Sequence, residues 1–235
     1  VDIRIVRIRA EERKYHEELY ENNKLFESGS WLFKPVKTVM DNLVYFNSYE
    51  HITVLDLGSG IGRNSIPVAE AIRSRNGKVV CVDLIESALL KLRNNSLEYG
   101  VSEIIETLIS DIGDYQIPNK AFDYIIAVSA LEHVESELKF IEVLNRMAQG
   151  TIGEGINCIV INTNIQEIDI LTGNELEPFM ELNMTTIQTE QLLSEAYQGW
   201  SLVYTAMKPL EFVIERNNRK VLMKSDCLTY VVRKK

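Results

Sequence analysis

Cysteine is scarce, and its placement excludes several chemistries. Cys81, Cys158 and Cys227 are widely spaced within apolar, strand-like runs. Metal sites built on close Cys or His pairs are therefore not expected, and the three thiols read as buried structural groups. Long hydrophobic runs are also missing. No stretch approaches the ~18 apolar residues of a membrane span, and no basic segment followed by an apolar one opens the chain. A cytoplasmic protein that does not engage a membrane is the expectation. Positive charge is in deficit too, with a net charge of −9. A broad nucleic-acid face needs clustered Lys and Arg, so no nucleic-acid partner is expected. Repeats and low-complexity segments are absent.

What is present is a regular alternation of short apolar runs and helical periods. "HITVLDL", "KVVCVDL", "EIIETLISD", "FDYIIAVSA" and "INCIVINTN" read as strands. Between them lie helical segments from Arg63 to Arg75, from Glu86 to a stop at Gly100, and from Ser136 to a stop at Gly150. Five nearly continuous apolar strands separated by helices imply a parallel sheet covered on both faces. Residues 1–49 carry helical periods at 11–25 and 35–45 and read as a cap on a core of 50–235. Residues 164–185 read as a long connection. A helix capped by Thr189 and ended by Gly199 follows, then strands with an "RNNRK" turn. The expectation is one domain of 235 residues. It would be α/β, doubly wound and mostly parallel, with antiparallel C-terminal strands and an N-terminal helical cap.

The stretch "VLDLGSGIGRNS" places Gly58, Gly60 and Gly62 directly after the first strand. A dinucleotide fingerprint, G-x-G-x-x-G, would need glycine at Arg63 or at Ser65, which disfavours a nicotinamide oxidoreductase. Asp56 precedes the loop, Asp83 ends the second strand and Asp111, beside Ile112, ends the third. In a doubly wound sheet ligands sit at the carboxyl ends of the strands, where an acidic side chain takes ribose hydroxyls. Asp56 suits an ammonium group and repels a pyrophosphate, or else braces the loop. Together the carboxylates and alternating glycines fit a ligand with an amine, a ribose and an adenine but no phosphate.

On these residues the chain resembles the class I S-adenosylmethionine-dependent methyltransferases. "VLDLGSGIGRNS", "VVCVDL", "SDIGD" and "FDYIIAVSALEHV" match that family's successive segments over about residues 50–163. The resemblance implies S-adenosyl-L-methionine as cofactor. Asp56, Gly58, Ser59 and Gly60 would surround its methionine end. Asp83 would hold the ribose, with Leu84 near the adenine. Asp111 and Ile112 would hold the adenine, and Val128 and Ser129 would face the sulfonium. Asn64 would bond the loop or the cofactor carboxylate, and Arg63 is a site residue or a solvated helix residue.

A narrower resemblance is to the tellurite-resistance methyltransferases, through "GRNS" and the C-terminal "EQLLSEAYQGWSLVYTAMKPLEF". It implies a small acceptor such as a tellurium or selenium oxyanion. A phenol, amine or carboxylate metabolite is the alternative acceptor, and a non-catalytic S-adenosylmethionine-binding protein is a further one. Residues 164–185 depart from that family's phenylalanine-rich segment. His133 in "ALEHV" is the candidate general base, since histidine accepts a proton near neutral pH. His16 and His51 read as weaker candidates. Tyr15, Phe26, Trp31 and Phe33 are candidate lid residues or plain packing. A monomer or a homodimer is expected, and no metal.

Overall fold

Thr53–Leu57 (β1) is buried on both faces because it lies in the interior of the sheet. Val54, Leu55, Asp56 and Leu57 are all buried, as expected of a strand covered on both sides. The computed structural model of the chain describes residues 2–216 and 219–235. β1 pairs in parallel with Lys78–Asp83 (β2) on one side and Phe122–Val128 (β4) on the other. Ile105–Ile109 (β3) extends the sheet beyond β2, and Thr151–Asp169 (β5) extends it beyond β4, both in parallel. Arg219–Arg233 (β8) then pairs antiparallel with β5, and Ser201–Arg216 (β7) closes the edge. The order is β3-β2-β1-β4-β5-β8-β7, with Glu175–Leu176 (β6) pairing off β5. Strand order reverses between β1 and β4, so their carboxyl ends open the crevice in which such sheets bind ligands.

Side chains alternate across this sheet with period two. Val54 joins a core layer with Ile66 and Ala69 of Ser65–Ile72 (α3) and Leu89 and Leu92 of Glu86–Glu98 (α4). Leu55 and Leu57 join the opposite layer. Phe140 and Leu144 of Glu137–Gly150 (α5) pack there with Leu193 of Thr186–Ala196 (α6). The doubly wound sheet, its antiparallel finish and the helical cap match the expectation. The cap is Ile3–Asn22 (α1), a short 3₁₀ turn at Trp31–Phe33, and Lys37–Asp41 (α2), which runs into a second 3₁₀ turn. Tyr124 anchors it from below. Its buried hydroxyl donates to the Val39 carbonyl at 3.0 Å.

Several boundaries differ from expectation. α1 starts at Ile3, well before residue 11, and Asp2 caps it by accepting from the Arg4 amide at 2.8 Å. α6 is capped by Thr185, which accepts from the Gln188 amide. Thr189 lies inside the helix and donates back to the Thr185 carbonyl at 2.9 Å. Gly150 is no left-handed stop. A Cβ there would meet Ile117 Cγ2 at 2.3 Å, so glycine serves close packing where α5 passes straight into β5. Residues 164–169 are strand, not connection. β5 runs to Asp169, bent where Asn164 takes φ 50°, and its last residues pair with Val221–Lys224. Of the "RNNRK" turn, Asn217 and Asn218 lie outside the described residues.

Candidate active site

The loop after β1 is held at the sheet edge from three sides. The Gly58 amide donates to the Val82 carbonyl at 2.8 Å, and the Ser59 amide to the same oxygen at 3.1 Å. Gly58 has φ 72°, and a Cβ on it would lie 2.5 Å from that of Ala130. Only glycine lets this turn approach the segment that follows β4. The Gly60 amide donates to Asp83 Oδ2 at 2.8 Å, while Asp83 Oδ1 accepts from the Ile85 amide at 2.8 Å. Burial raises the Asp83 pKa, and these amides oppose the rise.

Asp56 lies beneath the loop. It is buried, and its Oδ2 accepts from the Ser65 hydroxyl at 2.5 Å. Burial lifts its pKa from 3.8 to about 7 against the Ser65 bond, with the Asp83 charge adding to the rise. That bond ties it to Ser65 at the head of α3. Asn64 also serves the scaffold, its Oδ1 accepting from the Val36 amide at 3.0 Å and tying the cap to the loop. Arg63 is no solvated helix residue. Its Nε donates to the Lys34 carbonyl at 2.7 Å, and its guanidinium lies 5.2 Å from the centre of the Trp31 ring.

Asp111 Oδ1 accepts from the Gly113 amide at 2.7 Å, and Ile112 is buried beside it. Leu84 is partly exposed at the end of β2. Val128 ends β4, and Ser129 follows with φ 48°, its amide donating to the Val160 carbonyl at 2.8 Å. A non-glycine residue in that region is sparsely populated and collects at functional sites. The structure thus brings Gly58, Ser59, Gly60, Asp83, Leu84, Asp111, Ile112, Val128 and Ser129 to the carboxyl ends of β1 to β4.

Residues 54–151 match the family model described as a methyltransferase domain. The core has the Rossmann-like α/β fold of class I methyltransferases. Solved structures similar to the chain include TehB from Haemophilus influenzae, with a TM-score of 0.61 at 20% identity, covering 85% of this chain and 62% of that one. The chain therefore spans less than two thirds of TehB. YcgJ from Bacillus subtilis gives a TM-score of 0.61 at 12% identity, covering 84% and 98%. A SAM-dependent methyltransferase from Methanosarcina mazei gives 0.58 at 14%, covering 85% and 98%. At these identities the likeness is one of fold. No curated protein matches the chain by sequence.

Over the α/β core lies α1, whose contacts were not foreseen. Arg9 Nη2 sits 2.7 Å from Asp111 Oδ2, and its Nε 3.7 Å from Glu181. A Cβ on Gly60 would meet the Tyr20 hydroxyl at 2.8 Å. Ser87 donates to Glu17 at 2.9 Å, and Lys91 to the Tyr20 carbonyl at 2.6 Å, so α4 holds the helix in place. Of the expected lid aromatics, Trp31 takes Arg63 and packs edge-on to His16 and Tyr20, while Phe26 packs on Tyr99.

His133 lies beyond β4, as expected of an acceptor-side residue, but not as a free base. Its Nδ1 is 3.0 Å from Oε2 of the buried Glu181. Burial disfavours its charge, yet the Glu181 hydrogen bond and charge outweigh that and lift its pKa to about 9. The Glu181 pair favours the charged ring. His51 is exposed. His16, read as weaker, lies against His133, their ring centres 6.5 Å apart.

Proposed function

We propose that the chain transfers a methyl group from S-adenosylmethionine to a small-molecule acceptor. The observation that carries this reading is the glycine loop meeting Asp83 and Asp111 at one sheet edge. That edge fits the cofactor in one further respect: the Ser59 hydroxyl is buried without a partner among the described residues. The backbone of Gly58, Ser59 and Gly60 would take the methionine end, with Asp56 setting the loop from below. Asp83 would accept from the ribose hydroxyls. Asp111, Ile112 and Leu84 would take the adenine, and Val128 and Ser129 would line the reacting end. Bound there, the cofactor supplies an electrophilic methyl on a sulfonium, an excellent leaving group. The protein's task is then to exclude water and align the acceptor.

Arg9 occupies Asp111, and Tyr20 borders Gly60, so α1 must yield for the cofactor to enter and can close behind it. The acceptor side lies between this cap and the segment after β4. Arg63, held by Lys34 and lying over Trp31, gives that side a fixed positive charge, which supports an anionic acceptor. A tellurium or selenium oxyanion has such a charge and brings its own lone pair. His133 would line the same side, and no strong base is required for such an acceptor.

Release of S-adenosylhomocysteine, measured with selenite, tellurite and a panel of phenols, amines and carboxylates, tests this. Turnover with the oxyanions supports the whole reading. Turnover only with a phenol, amine or carboxylate replaces the acceptor and keeps methyl transfer. Cofactor binding with no turnover on any acceptor favours a non-catalytic binding protein.

A further inference from the structure

The geometry points to a divalent transition-metal site formed by Glu12, His16 and His133, of the kind that takes Zn²⁺. One ligand atom from each residue lies within 4.8 Å of the others. Glu12 and His16 are one helical turn apart on α1 and so share a face. Their Oε2 and Nε2 atoms are 3.7 Å apart. His133 meets them from the core. Two imidazoles and one carboxylate suit zinc with three protein ligands and an open position. Ligand atoms ~2.0–2.1 Å from a tetrahedral ion stand roughly 3.3 Å apart, so the cluster needs a contraction within reach of side-chain rotation.

The outer contacts have the form a metal site requires. A ligating histidine usually gives its other ring nitrogen to a carboxylate, which fixes ring and tautomer. His133 Nδ1 is so placed on Glu181, which leaves Nε2 as its free edge. Glu12 is held through Oε1 by Arg216 at 3.0 Å, which leaves Oε2 to the cluster. His16 Nδ1 is buried with no partner among the described residues. No close Cys or His pair signals the site in the sequence. The local trace is Glu-x-x-x-His on α1, completed by a residue remote in the chain.

An ion there would join α1 to the loop after β4 and fasten the helix across the crevice. The ligand set alone argues for the site, and it neither needs nor supplies the methyl-transfer reading. Binding would displace a proton from Nε2 of His133 as the metal–nitrogen bond forms.

Titration of the tag-free, chelator-treated full chain with Co²⁺, whose visible bands report coordination, tests this. We expect visible absorption saturating at one equivalent, displaced by Zn²⁺ and without a thiolate charge-transfer band. His16→Ala and Glu12→Gln should each weaken binding at least ~10-fold, and Zn²⁺ should raise the melting temperature of the parent chain but not of His16→Ala. Circular dichroism of the variants shows whether they fold. The proposal fails if the parent chain shows no saturable absorption, or if both folded variants keep it undiminished. The parent titration decides even if a variant does not fold.

Discussion

Arg9 and Asp111, far apart in the chain, meet at 2.7 Å over the carboxyl end of the sheet. The carboxylate expected to take the adenine is thereby paired with the cap. A partly exposed ion pair of this kind is worth about 1 kcal/mol or less. On the proposed reading it would restrain access without preventing it.

Arg9→Ala should free Asp111 and loosen α1. The expected outcome is S-adenosylmethionine binding tightened roughly 3- to 5-fold, the equivalent of that pair. Calorimetry of parent and variant checks it. Unchanged or weakened affinity would mean that Arg9 does not compete for the site.

Gly58→Ala should destabilise the fold and abolish cofactor binding together. The new Cβ would lie 2.5 Å from that of Ala130, at φ 72°. Left-handed strain and overpacking sum to about 2–5 kcal/mol. Urea unfolding measures the loss. A variant as stable as the parent would show that the loop does not need glycine there.

Asp56 gives stability a pH dependence. Its pKa is about 7 in the folded protein against an ordinary 3.8, so folding favours its protonated form. That contribution is full below about pH 4 and is lost as pH rises through 7. Asp56→Asn keeps an acceptor for the Ser65 hydroxyl but cannot ionise. Urea midpoints of the parent should fall more steeply than those of the variant between pH 4 and 8. Parallel curves would contradict the burial of a titrating carboxyl.

Tyr124→Phe removes the donor beneath the Val39 carbonyl and should loosen the cap from the core. Loss of a buried bond of this type is worth about 1–2 kcal/mol. Urea unfolding reads the change, and an equal midpoint would mean that water replaces the hydroxyl.

The sheet and loop were legible because their determinants are local. The runs ending at Leu57 and Asp83 are apolar on both faces, and the loop glycines sit at fixed spacing behind one of them. The far end of β5 was not legible. There Ile165, Glu167 and Asp169 turn inward in alternation, and two of those three inward residues are carboxylates. Glu167 faces Arg216 at 3.1 Å, and Asp169 accepts from the Leu171 amide at 2.9 Å. A two-residue period carried by acids looks like a polar connection. The contacts between cap and core were illegible for another reason. Arg9, Tyr20 and Arg63 act through partners remote in sequence, and no spacing along the chain encodes such pairs.

On the proposed reading, the glycine loop and strand-end carboxylates bind S-adenosylmethionine. Calorimetric titration of the purified chain with S-adenosylmethionine, and separately with NAD, tests it most directly, with Asp83→Ala as control. The expected outcome is saturable binding of S-adenosylmethionine that is lost in the variant, and none of NAD. Binding of NAD without S-adenosylmethionine, or S-adenosylmethionine binding untouched by loss of Asp83, would contradict it.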